Sequence, residues 1–388
     1  MKKSFKGFET RAIHAGQEPD PATGAIMTPI YTTSTYVQQS PGVHKGFEYS
    51  RTHNPTRSAL ENCIAELESG GEGFAFSSGM SAIAAVMEIL DTGDHVIATD
   101  DLYGGTYRLF ENVRKRSAGL NFSFCDLSDV SQLEKKLTNS TKMIWVESPT
   151  NPLLKLADLR AIVDFAERYN LIAVCDNTFC SPVVQRPLEY GFDIVVHSAT
   201  KYLNGHSDMI GGIAVCSSNR TDLAEKIRFL SNSIGSIMSP FDSFLVTRSL
   251  KTLSLRMERH CKNAQSIAEF LEGHGAIDKV LYPGLKSHPQ YTLASEQMNG
   301  YGGMISVIVK GGLQRAVKFV ESTKLFALAE SLGGVESLVE HPAIMTHASV
   351  PKDIRDKIGI VDGLVRLSVG IETMDDLLID LENALDAD

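Results

Sequence analysis

From Gly73 onward the chain alternates apolar runs of strand length with helical periods, and this rhythm restricts the fold more than any other feature. The runs are Phe74-Ala75-Phe76, His95-Val96-Ile97-Ala98, Asn121-Phe122-Ser123-Phe124, Met143-Ile144-Trp145-Val146, Leu171-Ile172-Ala173-Val174, Asp193-Ile194-Val195-Val196 and Ile213-Ala214-Val215. Helical periods separate most of them. One starts near Gly79, one follows Gly104, and one places Leu159, Ile162, Val163, Ala166 and Tyr169 on a single face. Strands joined by helices form parallel βαβ units, so an α/β fold with a mostly parallel sheet of about seven strands is expected. The last run follows its predecessor too closely for a helical crossover and is expected to run antiparallel.

The flanking regions follow other rules. Pro19, Pro21, Pro29 and Pro41 interrupt the first fifty residues, and no amphipathic period survives there, so 1–50 reads as an extended arm. Residues 51–250 hold the alternating pattern and read as one large domain. Beyond it, a long helix carrying Leu253, Met257, Ala264, Ile267, Ala268 and Leu271 leads to strands near Lys279-Val280-Leu281 and Met304-Ile305-Ser306-Val307-Ile308. Residues 251–388 therefore read as a smaller α+β domain. It closes with a helix expected to be capped by Thr373, with Asp376 three residues on, and to bury Leu377, Leu378, Leu381 and Leu385.

Composition narrows the function. The 388 residues, 43% apolar and 22% charged, suffice for two cores and exclude a disordered or fibrous chain. No run approaches the roughly 18 apolar residues of a membrane helix. Met1-Lys2-Lys3-Ser4-Phe5-Lys6 is basic but passes into Gly7-Phe8-Glu9-Thr10 without an apolar stretch, so a cytoplasmic protein with no membrane partner is expected. Lys plus Arg number 37 against 47 Asp plus Glu, and a net charge of −10 disfavours nucleic acid as a partner. The cysteines Cys63, Cys125, Cys175, Cys180, Cys216 and Cys261 contain no CxxC and read as reduced thiols, with neither a disulfide framework nor a metal site implied.

In an open parallel sheet, ligands collect beyond the carboxyl ends of the strands. Three such positions are unusual. Ser77-Ser78-Gly79-Met80-Ser81 opens a helix, where free N–H groups and hydroxyls suit a phosphate, although a plain capped helix start reads the same way. Asp176 ends the fifth apolar run, a place equally suited to a turn former. Lys201 sits in His197-Ser198-Ala199-Thr200-Lys201-Tyr202 after the sixth, where a lone lysine would ordinarily be a solvated charge. Together they form the set that pyridoxal phosphate requires. The lysine binds it as a Schiff base, the carboxylate keeps its pyridine nitrogen protonated, and the helix end takes its phosphate.

Longer motifs agree with that set: Tyr49-Ser50-Arg51 with Asn54-Pro55-Thr56, Ser77-Ser78-Gly79-Met80, Tyr103-Gly104-Gly105-Thr106, Glu147-Ser148-Pro149-Thr150-Asn151-Pro152, Ser198-Ala199-Thr200-Lys201, Leu328-Ala329-Glu330-Ser331-Leu332-Gly333-Gly334 and Arg366-Leu367-Ser368-Val369-Gly370. Through them the sequence resembles the Cys/Met-metabolism enzymes that use pyridoxal phosphate on the aspartate-aminotransferase type of fold, fold type I. It resembles the cystathionine γ-lyases most, from Thr10-Arg11-Ala12-Ile13-His14 to the last helix.

The resemblance implies Lys201 as the Schiff-base residue, Asp176 as the ring-nitrogen partner, and Gly79, Met80, Ser198 and Thr200 as phosphate contacts. It implies Tyr103 as a ring-stacking residue that moves a proton to or from the leaving sulfur. Asn151 and Arg366 would receive the substrate α-carboxylate, with Ser331 beside them, and Glu48 and Glu330 would hold the distal ammonium of cystathionine. Tyr49 and Arg51 would complete the phosphate site of a neighbouring subunit in a homotetramer built as a dimer of dimers. The implied reaction is γ-elimination to cysteine, 2-oxobutanoate and ammonia, with β-elimination to homocysteine and pyruvate, or γ-synthase chemistry, as alternatives. Gly105 stands where methionine γ-lyases usually carry cysteine, which counts against that activity. A nicotinamide-dependent dehydrogenase would share the strand and helix rhythm, but no G-x-G-x-x-G follows the first strand.

Overall fold

The computed structural model describes residues 5–348 and 352–387. Of the basic start, Met1–Ser4 lie outside the described residues. A seven-stranded sheet comprises β1 (Glu72–Phe76), β2 (His95–Thr99), β3 (Asn121–Cys125), β4 (Thr141–Glu147), β5 (Ile172–Asp176), β6 (Ile194–Ser198) and β7 (Gly212–Cys216), in the order β1-β7-β6-β5-β4-β2-β3. The pairs β2–β3, β2–β4, β4–β5 and β5–β6 are parallel. Only β7 runs against its neighbours β1 and β6, as the short connection before it requires. Both faces are covered, which explains runs without polar alternation. Trp145, Val174, Val196 and Ala214 pack on one face, and Ile144, Val146, Cys175 and Val195 on the other.

A second sheet comprises β8 (Ile277–Leu281), β9 (Met304–Val309), β10 (Ala327–Leu328), β11 (Leu338–Glu340) and β12 (Leu364–Ser368), in the order β10-β11-β12-β9-β8. The helix Leu253–Gly273 joins the two cores: Leu253 and Met257 pack into the large-sheet core, and Ala264, Ile267, Ala268 and Leu271 into the small-sheet core. The last three strands escape a reading by apolar runs. β10 and β11 have two and three residues, and Arg366 interrupts the apolar pattern of β12.

Three local expectations are corrected. The N-terminal segment is not extended throughout: Phe8–His14 is a helix, because the first proline comes only at Pro19. It docks through Ala12, 1% exposed, and through Arg11 Nη1, which donates to Glu66 O at 2.6 Å. Thr373 precedes the helix Met374–Asp386 but forms no side-chain cap; Asp375 and Asp376 instead set negative charge in the first turn. That helix buries Leu377, Leu381 and Leu385, while Leu378 is half-buried. Tyr169 lies just past the helix Leu159–Arg168 and is 38% exposed rather than on its buried face.

Five of the six cysteines are buried and all are free. Among the described residues no helix is long and apolar enough to cross a membrane, and no cluster of three or more His, Cys, Asp or Glu is arranged to hold a metal ion.

Candidate active site

The carboxyl ends of β4, β5 and β6 open into a cavity of about 330 Å³. Its lining includes Gly79, Met80, Tyr103, Asn151, Asp176, Ser198, Thr200, Lys201, Glu330, Ser331 and Arg366. The residues singled out at separate strand ends thus meet in one place. Three do not join them: Glu48, Tyr49 and Arg51 do not line this cavity. Glu48 is exposed and 4.0 Å from His44. Arg51 lies over the ring of Tyr49, 5.5 Å from its centroid, and its Nε donates to Asn232 Oδ1 at 3.2 Å.

The phosphate end is built by close approach of a strand and a helix. Ser78 caps the helix Gly79–Met87 by accepting the N–H of Ser81 at 3.0 Å, so the first-turn N–H groups point out of the helix. A Cβ at Gly79 would stand 2.9 Å from Ser198 Cβ, and one at Gly212 would stand 2.1 Å from Ser78 O. Only glycine at both positions lets β6 and β7 reach the helix start, which leaves backbone donors and the Ser198 hydroxyl around one recess. Thr200 is fixed to the next turn: its Oγ accepts the Gly211 N–H at 3.0 Å.

At the floor, Asp176 ends β5 in register with Glu147 of β4. Thr178 donates both its N–H, at 3.1 Å, and its hydroxyl, at 2.5 Å, to Asp176 Oδ1, while its Oγ accepts the Ser198 N–H at 2.9 Å. Asp176 Oδ2 has no hydrogen-bond partner among the described residues. Burial raises both carboxyls and, with the charge of Asp176 added, takes Glu147 well above the usual range. Thr178 and His197 pull Asp176 back. Of the two carboxyls, Glu147 is the more strongly raised and Asp176 the one held back by hydrogen bonds. Behind the floor, His197 Nε2 lies 2.5 Å from Glu68 Oε1, with both residues fully buried.

Lys201 is mostly buried, and its Nζ donates to Ser331 Oγ at 2.7 Å. Burial first, then the positive charge of Arg366, lowers its amine to about 8, so a neutral fraction exists near neutral pH. Ser331 adopts a φ of +93°, a strained value for a residue with a side chain, and its carbonyl accepts Arg366 Nη2 at 2.9 Å. Arg366 Nη1 contacts Asn151 Oδ1 and Glu340 Oε1, each at 2.9 Å. A guanidinium carries five N–H donors. The three bonds leave Nε and one hydrogen on Nη2, adjacent donors suited to a carboxylate, and Nε is a buried atom with no partner among the described residues.

Tyr103 donates its N–H to Glu147 Oε2 at 3.0 Å and begins the helix Gly104–Arg108. Its phenol is raised, first by burial, so it stays protonated and able to donate near neutral pH. A Cβ at Gly105 would lie 2.4 Å from Tyr103 Cε1 and 3.0 Å from Met80 Sδ, so a larger residue there would displace the ring.

Sequence reasoning missed Glu147, Thr178 and Glu340. Glu147 carried the same signal as Asp176, a carboxylate ending a parallel strand. Glu340 carried none, because it meets Arg366 only through the antiparallel register of β11 and β12.

The residues fit pyridoxal phosphate. Asp176 keeps an unpaired oxygen at the floor, the recess at Gly79 would be filled by a single Cβ, and the Lys201 amine lines the same cavity.

The sequence profile of the Cys/Met metabolism PLP-dependent enzymes matches residues 9–386. A cystathionine beta-lyase of Coxiella burnetii is 63% identical over 384 residues, covering 99% of this chain and 98% of that protein. A cystathionine gamma-lyase of Dictyostelium discoideum is 52% identical, covering 97% of each chain. The crystal structure of cystathionine gamma-lyase from Lactobacillus plantarum complexed with L-serine superposes with a TM-score of 0.95 at 48% identity, covering 98% of each chain. With the two-sheet α/β architecture of fold type I and this constellation at its strand ends, the chain belongs to the Cys/Met-metabolism family of pyridoxal-phosphate-dependent enzymes.

Proposed function

We propose that this enzyme is a carbon–sulfur lyase of trans-sulfuration that cleaves cystathionine at Cγ, releasing cysteine, 2-oxobutanoate and ammonia. The names of the relatives support the lyase class. Glu330 carries the choice of Cγ. Of the carboxylates lining the cavity, Glu147 and Asp176 are 5% and 9% exposed, whereas Glu330 is exposed and free to receive the distal ammonium. An anchor there fixes the span of the substrate between Arg366 and Glu330, and within that span we place the homocysteine half over the site with Cγ at the bond to be cleaved.

The cofactor would be held by Lys201, by Asp176 at its ring nitrogen, by Gly79, Met80, Ser198 and Thr200 at its phosphate, and by the ring of Tyr103. When bound, pyridoxal phosphate supplies an electron sink that acidifies the Cα–H bond. Arg366 and Asn151 fix the α-carboxylate. Lys201, with its amine lowered by burial, removes the Cα proton and, once it has given that proton up, one from Cβ, which departure of the thiol from Cγ requires. Tyr103, kept protonated, delivers a proton to the departing sulfur. Asp176 holds its charge against the ring nitrogen because Thr178 and His197 favour the ionised form.

A second reading, β-elimination to homocysteine, pyruvate and ammonia, is favoured by the 63%-identical relative. With cystathionine as substrate, 2-oxobutanoate is expected to be the main keto acid by chromatography. Dominant pyruvate would make the enzyme a β-lyase, and turnover only of an activated homoserine ester with cysteine would make it a γ-synthase. Once the bound substrate covers Glu330, a contact to its ammonium contributes roughly 1.5–3 kcal/mol, so Glu330→Ala is expected to raise the cystathionine KM about ten- to a hundredfold. An unchanged KM and product ratio would remove Glu330 from the account of specificity.

We also propose a homotetramer, a dimer of dimers, in which Tyr49 and Arg51 complete the neighbour's phosphate site. Two features support this. Both residues lie outside their own chain's cavity, and the apolar side chains of Phe229, Ile234 and Phe241, on the nearby helices Thr221–Ile234 and Pro240–Leu250, are 69%, 52% and 56% exposed. Mixing inactive Arg51→Ala and Lys201→Ala subunits under exchange is expected to restore activity, because one site of each hybrid dimer is then wild type. Hybrids that form without activity would place Arg51 in its own subunit's site.

A further inference from the structure

Asp101 lies two residues before Tyr103, is 1% exposed, and does not line the cavity. Its Oδ2 accepts the Thr150 hydroxyl at 2.5 Å and the Leu153 N–H at 3.1 Å. Those donors flank Asn151, whose Oδ1 meets Arg366. One buried carboxylate oxygen therefore grips the substrate-carboxylate loop on both sides of Asn151, from the segment that leads into Tyr103. Thr150, 3% exposed, is itself fixed: its Oγ accepts the Lys155 N–H at 2.9 Å, and its own N–H donates to Lys155 O at 2.9 Å.

Other contacts cross the same seam. Tyr103 N–H reaches Glu147, at the start of the loop that holds Asn151. His347 beside this seam is 2% exposed, and its Nε2 has no hydrogen-bond partner among the described residues. His347 Nδ1 lies 3.0 Å from Thr346 Oγ1, and Thr346 O fills the space that a Cβ at Gly104 would need, at 2.8 Å. The two loops are thus pressed together from the outside and joined on the inside by the Asp101–Thr150 bond, made to a carboxyl that burial raises to about 7.

We propose that Asp101 and Thr150 are positioning residues that set the separation between Tyr103 and Asn151. The bond registers the leaving-group end of the substrate against its carboxylate end. Neither residue touches the reacting atoms. The proposal rests on the roles given above to Tyr103 and Asn151.

The test uses purified holoenzyme and steady-state kinetics with cystathionine for Thr150→Val, Thr150→Ser, Tyr103→Phe and Asn151→Ala, with melting temperature and cofactor absorption measured alongside. Misplacement of about 1 Å costs on the order of a hundredfold. Thr150→Val is expected to raise KM and lower kcat together, reducing kcat/KM roughly ten- to a hundredfold. Thr150→Ser, which keeps the hydroxyl, is expected to restore both constants. Cofactor absorption is expected to stay constant across the Thr150 variants, because Lys201 and Asp176 are untouched. If Thr150→Val yields no folded holoenzyme, Thr150→Ala removes the same hydroxyl from a smaller side chain and is read in the same way. Wild-type kcat and KM in the variant lacking the hydroxyl, even with a lowered melting temperature, beside impaired Tyr103→Phe and Asn151→Ala, would overturn this proposal alone. So would a Thr150→Ser enzyme as impaired as Thr150→Val. Normal turnover by Tyr103→Phe and Asn151→Ala would overturn the roles of those residues, and this proposal with them.

Discussion

Lys201→Ala is expected to abolish keto-acid release from cystathionine, leaving at most a trace, while the protein still folds. The variant removes two functions at once: the covalent hold on the cofactor and the base for the Cα proton. General-base catalysis alone accounts for about 10²–10⁴ in rate, and loss of the nucleophilic amine adds to it. The charged neighbours that act on its amine are engaged elsewhere: Arg366 is cationic, Glu340 pairs with Arg366, and Glu330 would hold the distal ammonium, while Tyr103 is kept protonated. The fold has little stake in the amine, whose recorded hydrogen bond goes to Ser331 Oγ. The local packing comes instead from Tyr202 and Leu203, each 1% exposed. Cofactor is expected to remain bound through the recess at Gly79 and through Asp176, without the absorption band that borohydride removes from the wild type. Elimination above trace by the purified variant would take the central role from Lys201.

Much of this site could be read along the chain because α/β architecture converts sequence order into spatial order. Residues that end parallel strands lie side by side at one edge, so Asp176 and Lys201 could be paired from their positions after apolar runs alone. Recognition of the second sheet was weaker for a physical reason. β10 and β11 are too short to show a period, and β12 places a buried arginine where a strand pattern expects an apolar residue. That arginine is tolerated because Glu340, directly opposite in register, supplies the opposing charge, a relation across 26 residues that no local pattern encodes. Thr373 shows the opposite failure. The residue type fits a helix cap, but its side chain forms no capping bond, and the first-turn carboxylates serve the helix end instead. Glu48, Tyr49 and Arg51 were read from motif resemblance, and a single chain leaves them apart from the cavity.

Asp176→Ala is expected to fold and to lose kcat by on the order of 10³-fold or more, the scale seen when a preorganised electrostatic group is removed from a catalytic site. The size of the loss follows from where the charge sits. Asp176 is buried, so its carboxylate acts through little screening, and Thr178 and His197 offset part of the cost of burial. The alanine variant also frees the N–H and hydroxyl of Thr178 from their shared acceptor, and with them the tether from Thr178 to the Ser198 N–H. Its loss therefore mixes charge with position. Asp176→Asn separates the two: the amide oxygen can still accept from Thr178, yet the side chain is neutral and cannot keep a pyridine nitrogen protonated. An asparagine variant as impaired as the alanine one assigns the effect to charge, and one close to wild type leaves either position or rescue by Glu147. Among the described residues Glu147 is the carboxyl placed to compensate, since it lies in register with Asp176 and loses a repulsive charge in either variant. Burial is the larger cause of its raised value, however, so it is expected to stay protonated and give little rescue. If Asp176→Asn retains a near-normal rate, adding Glu147→Gln decides between them: collapse of activity in the double variant would identify Glu147 as the group that had taken over the ring nitrogen.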